Sequence, residues 1–204
     1  MPYHITQRGT NRERVFFTVA DRLRYLRVIR EHQADAGVRI LAYCLMTNHI
    51  HFVAIPERED SLAVLFGRAN GRYAQAINTR KGRCGHLWQA RFHSCVLAES
   101  HLEIALCYVE DNPCRAGMVA AHLRGDPDRS GILDSRFWER AGGADTWAQL
   151  HAQKSSVDQI VSPRKCTYAG RPFGEEHFLA AMEERFQRKW RRMSHEEREI
   201  AKTA

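Results

Sequence analysis

Residues 39–56, RILAYCLMTNHIHFVAIP, form two apolar, β-rich runs separated by the polar pair Thr47 and Asn48, and no other feature narrows the fold as much. A connection that short is of hairpin type, so two antiparallel strands are expected, with Pro56 ending the second. Strand side chains alternate between faces with period two. His49 and His51 therefore share one face, and Ile50 and Phe52 share the other. Two imidazoles on one face can close on a metal ion, or they can be ordinary histidines beside a polar neighbour. The spacing alone leaves both readings open.

The opening YHITQRGT alternates from Tyr3 to Thr6 and breaks at Gly9, which predicts a first strand. From Val19 to Ala36, Leu23, Leu26, Val28 and Ile29 recur near helical spacing among charges, and Gly37 follows as a stop. Ser61 is placed to cap a second helix reaching about Thr79, with Leu62, Leu65, Phe66, Ala69, Tyr73 and Ile77 as its apolar stripe. TRKGRCG reads as a basic loop, and HLWQARFHSCVL as a fourth, bent strand. In SHLEIALCYVEDNP, Ser100 and Glu103 have capping-box spacing, Leu102, Ala105, Leu106 and Val109 face a core, and Pro113 is the stop. Strand, helix, strand, strand, helix, strand, helix is the order of an α+β fold of the ferredoxin-like kind, an antiparallel sheet flanked by helices.

Beyond Ala121 the pattern changes. HLRGDPDRSGILDS is turn-rich, RFWERAGGADTWAQLHAQ holds one or two short helices, and SSVDQIVSPRKCTYAGRPFG reads as loop. A closing amphipathic helix is expected from Glu175 to Arg192, with Phe178, Leu179, Met182, Phe186 and Trp190 on one side and strongly basic last turns.

The net charge is +7, and 26 of the 31 basic residues are arginine. Arginine offers a planar fork to phosphate oxygens and a flat face to bases, so a nucleic-acid partner is favoured. Arg8, Arg12 and Arg14 near the first strand, and Arg80, Lys81 and Arg83 before the fourth, are candidate backbone contacts. Trp88, Phe92 and Tyr73 are candidate stacking surfaces. No apolar run approaches the roughly 20 residues of a membrane span. The N-terminus lacks the apolar core of a signal peptide, so a cytoplasmic location is expected. The six cysteines include no C-x-x-C pair, which argues against a zinc ribbon or a disulfide framework. Cys84, His86, His93 and Cys95 would make a tetrahedral set in principle, at a spacing unlike known knuckles. No glycine-rich phosphate loop is visible, so no nucleotide cofactor is expected.

Tyr108 and Asn112 lie four apart on the helix after the fourth strand and so share a face. A tyrosine hydroxyl is a poor nucleophile at its usual pKa near 10 and needs a metal or a base. A metal on His49 and His51 could supply that help, with Asn112 as an oxygen ligand. The competing reading is that Tyr108 packs on the sheet and Asn112 merely ends a helix.

Taken in order, YHITQRGTNRERVFF, AYCLMTNHIHFVAIP, NGRYAQAIN, GHLWQARFHSCVLAE and CYVEDNPCRAGMV resemble the REP-associated tyrosine transposases. These are a branch of the single-tyrosine transposases with an HUH motif: His, hydrophobic residue, His. The resemblance runs from Tyr3 to about Val119, and AGRPFGEEHFLAAMEERF is more loosely similar to the family's C-terminal tail. It implies that His49 and His51 bind a divalent metal, that Asn112 is the third ligand, and that Tyr108 attacks DNA and stays joined to its 5′ phosphate. It also implies action, as single chains and with Mg2+ or Mn2+, on single-stranded DNA at hairpins of repetitive extragenic palindromes. Two imidazoles alone would favour zinc or manganese. The expected division is an HUH catalytic domain at 1–120, a variable loop and short-helix segment at 121–174, and a basic amphipathic helix at 175–204. Two readings from other classes remain: a domesticated protein that grips hairpin DNA without cutting it, and a replication initiator or relaxase. Asp111 and Cys114 depart from the leucine and valine usual beside the active helix, and an expected Trp-Ser-Ser segment is missing between Val119 and Phe137.

Overall fold

The computed structural model describes residues 1–116, 130–142 and 163–190. A four-stranded antiparallel sheet has the order β2-β3-β1-β4, built from β1 (Tyr3–Arg8), β2 (Val38–Leu45), β3 (His49–Pro56) and β4 (His93–Val96). Helix α1 (Val19–Ala36) joins β1 to β2, and α2 (Ser61–Lys81) joins β3 to β4. This is the expected ferredoxin-like arrangement, with β3 lying between β1 and β2.

Strand alternation divides the interior into two cores. Ile5, Ile40, Ile50, Phe52 and Ala54 face α1 and α2, where Tyr25, Leu26, Ile29, Leu65, Phe66, Ala69, Tyr73 and Ile77 are buried against them. Leu41, Cys44, Val53 and Cys95 lie on the opposite side with Ala105, Leu106 and Val109 of α3 (Leu102–Arg115), and with Cys166 of α5 (Pro163–Ala169). Two further helices complete the described chain, α4 (Ser135–Arg140) and α6 (Glu176–Phe186). The free edge of β4 is covered as Phe173 N–H donates to Val96 O at 2.9 Å, which removes a template for unwanted strand pairing.

Helix α1 ends as expected at Gly37, which adopts the left-handed conformation (φ 63°) that glycine tolerates best. Its stripe differs from the expected one: Leu23 is 57% exposed, and Tyr25 takes the buried position. Ser61 is the first residue of α2 rather than its cap, its Oγ accepting from Arg58 N–H at 3.0 Å. The expected capping box at Ser100 does not form. A 3-10 turn at Glu99–His101 leads into α3, and the Ser100 hydroxyl bonds His101 instead. Pro113 lies inside α3 rather than stopping it. In the last turn, its missing N–H removes one helical bond, and Ala116 N–H still reaches Asn112 O at 3.0 Å.

The fourth strand is shorter than expected: Trp88 keeps only an isolated bridge to Gly9, and its ring turns into the core, packing against Phe16, Tyr25 and Tyr73 and donating Nε1–H to Asn70 O at 3.1 Å. Residues read as loop contain α5, and the closing helix ends at Phe186, where Gln187 turns left-handed (φ 49°). The helix expected within WAQLHAQ lies outside the described residues, as does the chain beyond Trp190.

One ion pair fastens the α1–α2 layer. Asp21 forms a capping box with Thr18, accepts from Phe17 N–H, and takes both terminal nitrogens of Arg80 on its carboxylate. The Arg80 hydrogen bond, aided by those backbone amides and opposed by burial, holds Asp21 down to about 2. Because the folded pKa is depressed, this stabilisation is present above about pH 4 and is lost as pH falls through 2. Asp21→Asn is expected to cost about 2 kcal/mol at pH 7 in denaturant unfolding. The deficit should shrink between pH 4 and pH 2, as the wild-type carboxyl itself protonates.

Candidate active site

The register of β1 on β3 sets Thr6 opposite His51 and Arg8 opposite His49. His4, Thr6 and Arg8 share a face by alternation, so this face of the sheet carries a polar strip into the α3–α5 side. His51 is 1% exposed and His4 is fully buried. Their rings lie side by side and nearly coplanar, 12° apart with centroids at 5.1 Å, and His4 Nε2 lies 2.9 Å from His51 Nδ1. On its other side, His4 Nδ1 lies 2.5 Å from Thr167 Oγ1 on α5. The half-buried His49 meets His51 edge-on, centroids 4.9 Å apart, and its Nδ1 is held 2.6 Å from Asn48 Oδ1.

Helix α3 delivers Tyr108 to the same place. Its ring stands perpendicular to both of these histidines, 5.6 Å from His51 and 5.7 Å from His4. One turn on, Asn112 donates Nδ2–H to Tyr108 O at 2.8 Å, so of its two amide ends the oxygen is the one that could ligate an ion.

The electrostatics keep these imidazoles neutral. Burial holds His4 down to about 3. Burial, then the positive charges of Arg164 and Arg8, hold His49 down to about 4. Burial puts His51 well below the ordinary histidine value, reinforced by its two histidine neighbours and the same arginines. Neutral imidazole is the ligating form. His51 Nε2 is buried without a hydrogen-bond partner, a costly state that a bound ion would relieve. The residues present therefore fit a divalent metal. Among the described residues no group of three or more His, Cys, Asp or Glu side chains is arranged to hold one, so a third protein ligand would have to be of another type, such as the Asn112 amide oxygen. That also disposes of the Cys84, His86, His93 and Cys95 set: Cys84 is exposed, and Cys95 is buried against Thr167.

The arginines expected to meet DNA separate into two groups. Arg8 and Arg12 line a cleft of about 460 Å³ together with Arg91, Arg164, His93 and Tyr168, and Arg8 donates to the Tyr168 hydroxyl at 2.6 Å. Arg80 is instead held by Asp21, Lys81 sits 3.8 Å over the Phe17 ring, and Arg83 pairs with Glu13 at 3.2 Å. Arg14 is exposed. Trp88 and Tyr73 offer no face to a base, being 7% and 0% exposed, while Phe92 is half-buried against Phe66. Reading the sequence missed His4, Thr167, Arg164 and Tyr168. Alternation along YHITQR puts His4 in phase with Arg8, a usable signal, whereas α5 gave none.

The family described as "Transposase IS200 like" matches residues 1–112. No curated protein matches the chain. Among solved structures, a REP-associated tyrosine transposase bound to a REP hairpin is similar at 17% identity, over 58% of this chain and 69% of that one, with a TM-score of 0.48. A protein from Deinococcus radiodurans R1 assigned as a transposase is similar at 21% identity, over 59% of this chain and 92% of that one, with a TM-score of 0.40.

Three histidines that stay neutral when folded but titrate near 6.5 when unfolded make the unfolded chain the better proton binder below that pH. Stability is therefore expected to fall by about 2 kcal/mol or more between pH 7 and pH 5, read from denaturant midpoints. Equal midpoints at the two pH values would contradict the neutral, buried assignment.

Proposed function

We propose that this chain, which belongs to the family of IS200-like transposases, is a metal-dependent nuclease and strand transferase for single-stranded DNA, acting at REP-type hairpins through a 5′-phosphotyrosine on Tyr108. The observation that carries this reading is the meeting of two separate elements: the His49 and His51 pair of β3, with His51 Nε2 orphaned, and the Tyr108 ring set against it by α3. The preference for REP-type hairpins rests on the resemblance of the ordered motifs between Tyr3 and Val119.

In the proposed reaction Tyr108 Oη attacks the scissile phosphorus, loses its proton, and forms an ester to the 5′ phosphate as the P–O3′ bond breaks and the 3′ oxygen takes up a proton. The phosphodiester's energy is kept in that link, so rejoining by the reverse attack needs no nucleotide cofactor. His49, His51 and Asn112 would hold a divalent ion, Mg2+ or Mn2+, whose chemistry there is to polarise the scissile phosphate and stabilise charge on its oxygens. The buried His51 and His4 keep this side of the site dry, which strengthens any charge interaction within it. Arg8, Arg12, Arg91 and Arg164 line the neighbouring cleft and suit a strand backbone, and Tyr168 suits an unpaired base. We place the protein in the cytoplasm, working as a monomer.

The test is covalent trapping with Mn2+ and labelled hairpin oligonucleotides. A metal-dependent adduct mapping to Tyr108 is expected, absent in Tyr108→Phe although hairpin affinity stays within about twofold. His49→Ala should slow cleavage at least about 100-fold. Arg8→Ala should weaken binding across sequences and lower its salt dependence by about one phosphate contact. Tight hairpin binding with no adduct under any metal would instead make this a DNA-binding protein without cleavage.

A further inference from the structure

Four hydrogen-bonding groups from three elements run in line beneath the site: Pro163 O, Thr167 Oγ1, His4 and His51. Thr167 donates its hydroxyl proton to Pro163 O at 2.8 Å, and that direction is fixed because a carbonyl can only accept. A hydroxyl has one proton. Thr167 Oγ1 can then only accept from His4 Nδ1, 2.5 Å away, and from the Cys95 thiol, 3.1 Å away. His4 must accordingly carry its proton on Nδ1. Fully buried, it is a neutral imidazole, so its Nε2 is a bare acceptor. The 2.9 Å contact to His51 Nδ1 is then a bond that His51 donates. His51 is left with its proton on Nδ1 and a lone pair on Nε2, the atom without a hydrogen-bond partner.

Reversing the chain fails. Thr167 would have to abandon Pro163 O, and His51 would carry a proton on the buried Nε2 with no acceptor to receive it.

We infer that His4 and Thr167 are positioning residues that lock His51 in the Nδ1–H tautomer, so that its Nε2 lone pair is presented permanently toward the site. The consequence for metal binding rests on the function proposed above; the tautomer itself does not. A metal-bound histidine commonly has its second ring nitrogen held by a carbonyl, carboxylate or water. Here that place is taken by a second imidazole, anchored by a hydroxyl from α5, which lies outside the 1–112 match.

The experiment uses the full chain without metal, labelled with 15N histidine, and reads each ring's tautomer from long-range 1H–15N couplings. His51 and His4 are both expected as Nδ1–H. Manganese affinity is then measured by calorimetry for wild type, Thr167→Val and Thr167→Ser. Valine keeps the shape but removes the acceptor. It should mix the His51 tautomers and weaken Mn2+ binding about tenfold, and serine should restore both. An Nε2–H tautomer of His51 in the wild type overturns the inference with no variant needed. Unchanged tautomer and affinity in a folded Thr167→Val overturns the anchoring by α5. Nδ1–H His51 in a wild type that binds no Mn2+ upholds the tautomer and sinks the metal reading.

Discussion

Pairing Thr6 with His51 and Arg8 with His49 sets two histidines of β3 against the polar face of β1, and the rest of the site follows from that register. A slip of one residue would turn every side chain of the strand to the other face. Ile50 and Phe52 prevent it. Both are fully buried against α1 and α2, and moving them to the α3–α5 side would exchange two apolar anchors for imidazoles within the larger core. The apolar half of β3 therefore aligns the polar half, and a packing preference sets the geometry of the candidate site.

Holding neutral imidazoles in a dry layer costs free energy, and the fold offsets it locally. His4 and His51 bond each other, Thr167 bonds His4, and Thr6 donates its hydroxyl to Ile50 O at 2.8 Å. On the opposite side of the sheet lies a second buried network. Tyr25 donates to Asn70 at 2.7 Å, Asn70 donates to Gln7, and Gln7 donates to Ala90 O at 2.6 Å. Linked hydrogen bonds of this kind favour one arrangement over its alternatives. Gly9 marks how closely the chain is fitted at the end of β1: a Cβ there would collide with Glu13 O and come within 2.7 Å of Val15 Cγ1.

The readable parts of this structure were those with a long, regular pattern. The hairpin of β2 and β3, the stop at Gly37 and the stripe of α2 all come from repeats that local physics enforces, and the strand order follows from them. The pairing of Tyr108 with the histidines was legible only through several motifs occurring together. What stayed hidden depends on contacts distant in sequence. Trp88 sits in a run that reads as strand, and nothing local says that its ring will fold inward. Seven-residue α5 is too short to show a period, and it begins at a proline. His4 needs the register with β3 before it means anything. Arg80 looks like a surface cation until Asp21, on another helix, claims it.

The bond between Thr167 and His4 ties the orientation of a buried imidazole to the docking of a helix from the far end of the described chain. Such a tie is symmetric in free energy. If seating α5 favours an ion at His51, then an ion at His51 favours the seating of α5 by the same factor. Arg164 and Tyr168 travel on that helix and form one wall of the arginine-lined cleft. Under the proposed function, occupancy of a metal position at His51 and the shape of the cleft wall would thus be a single equilibrium, and a change made at either end would be felt at the other.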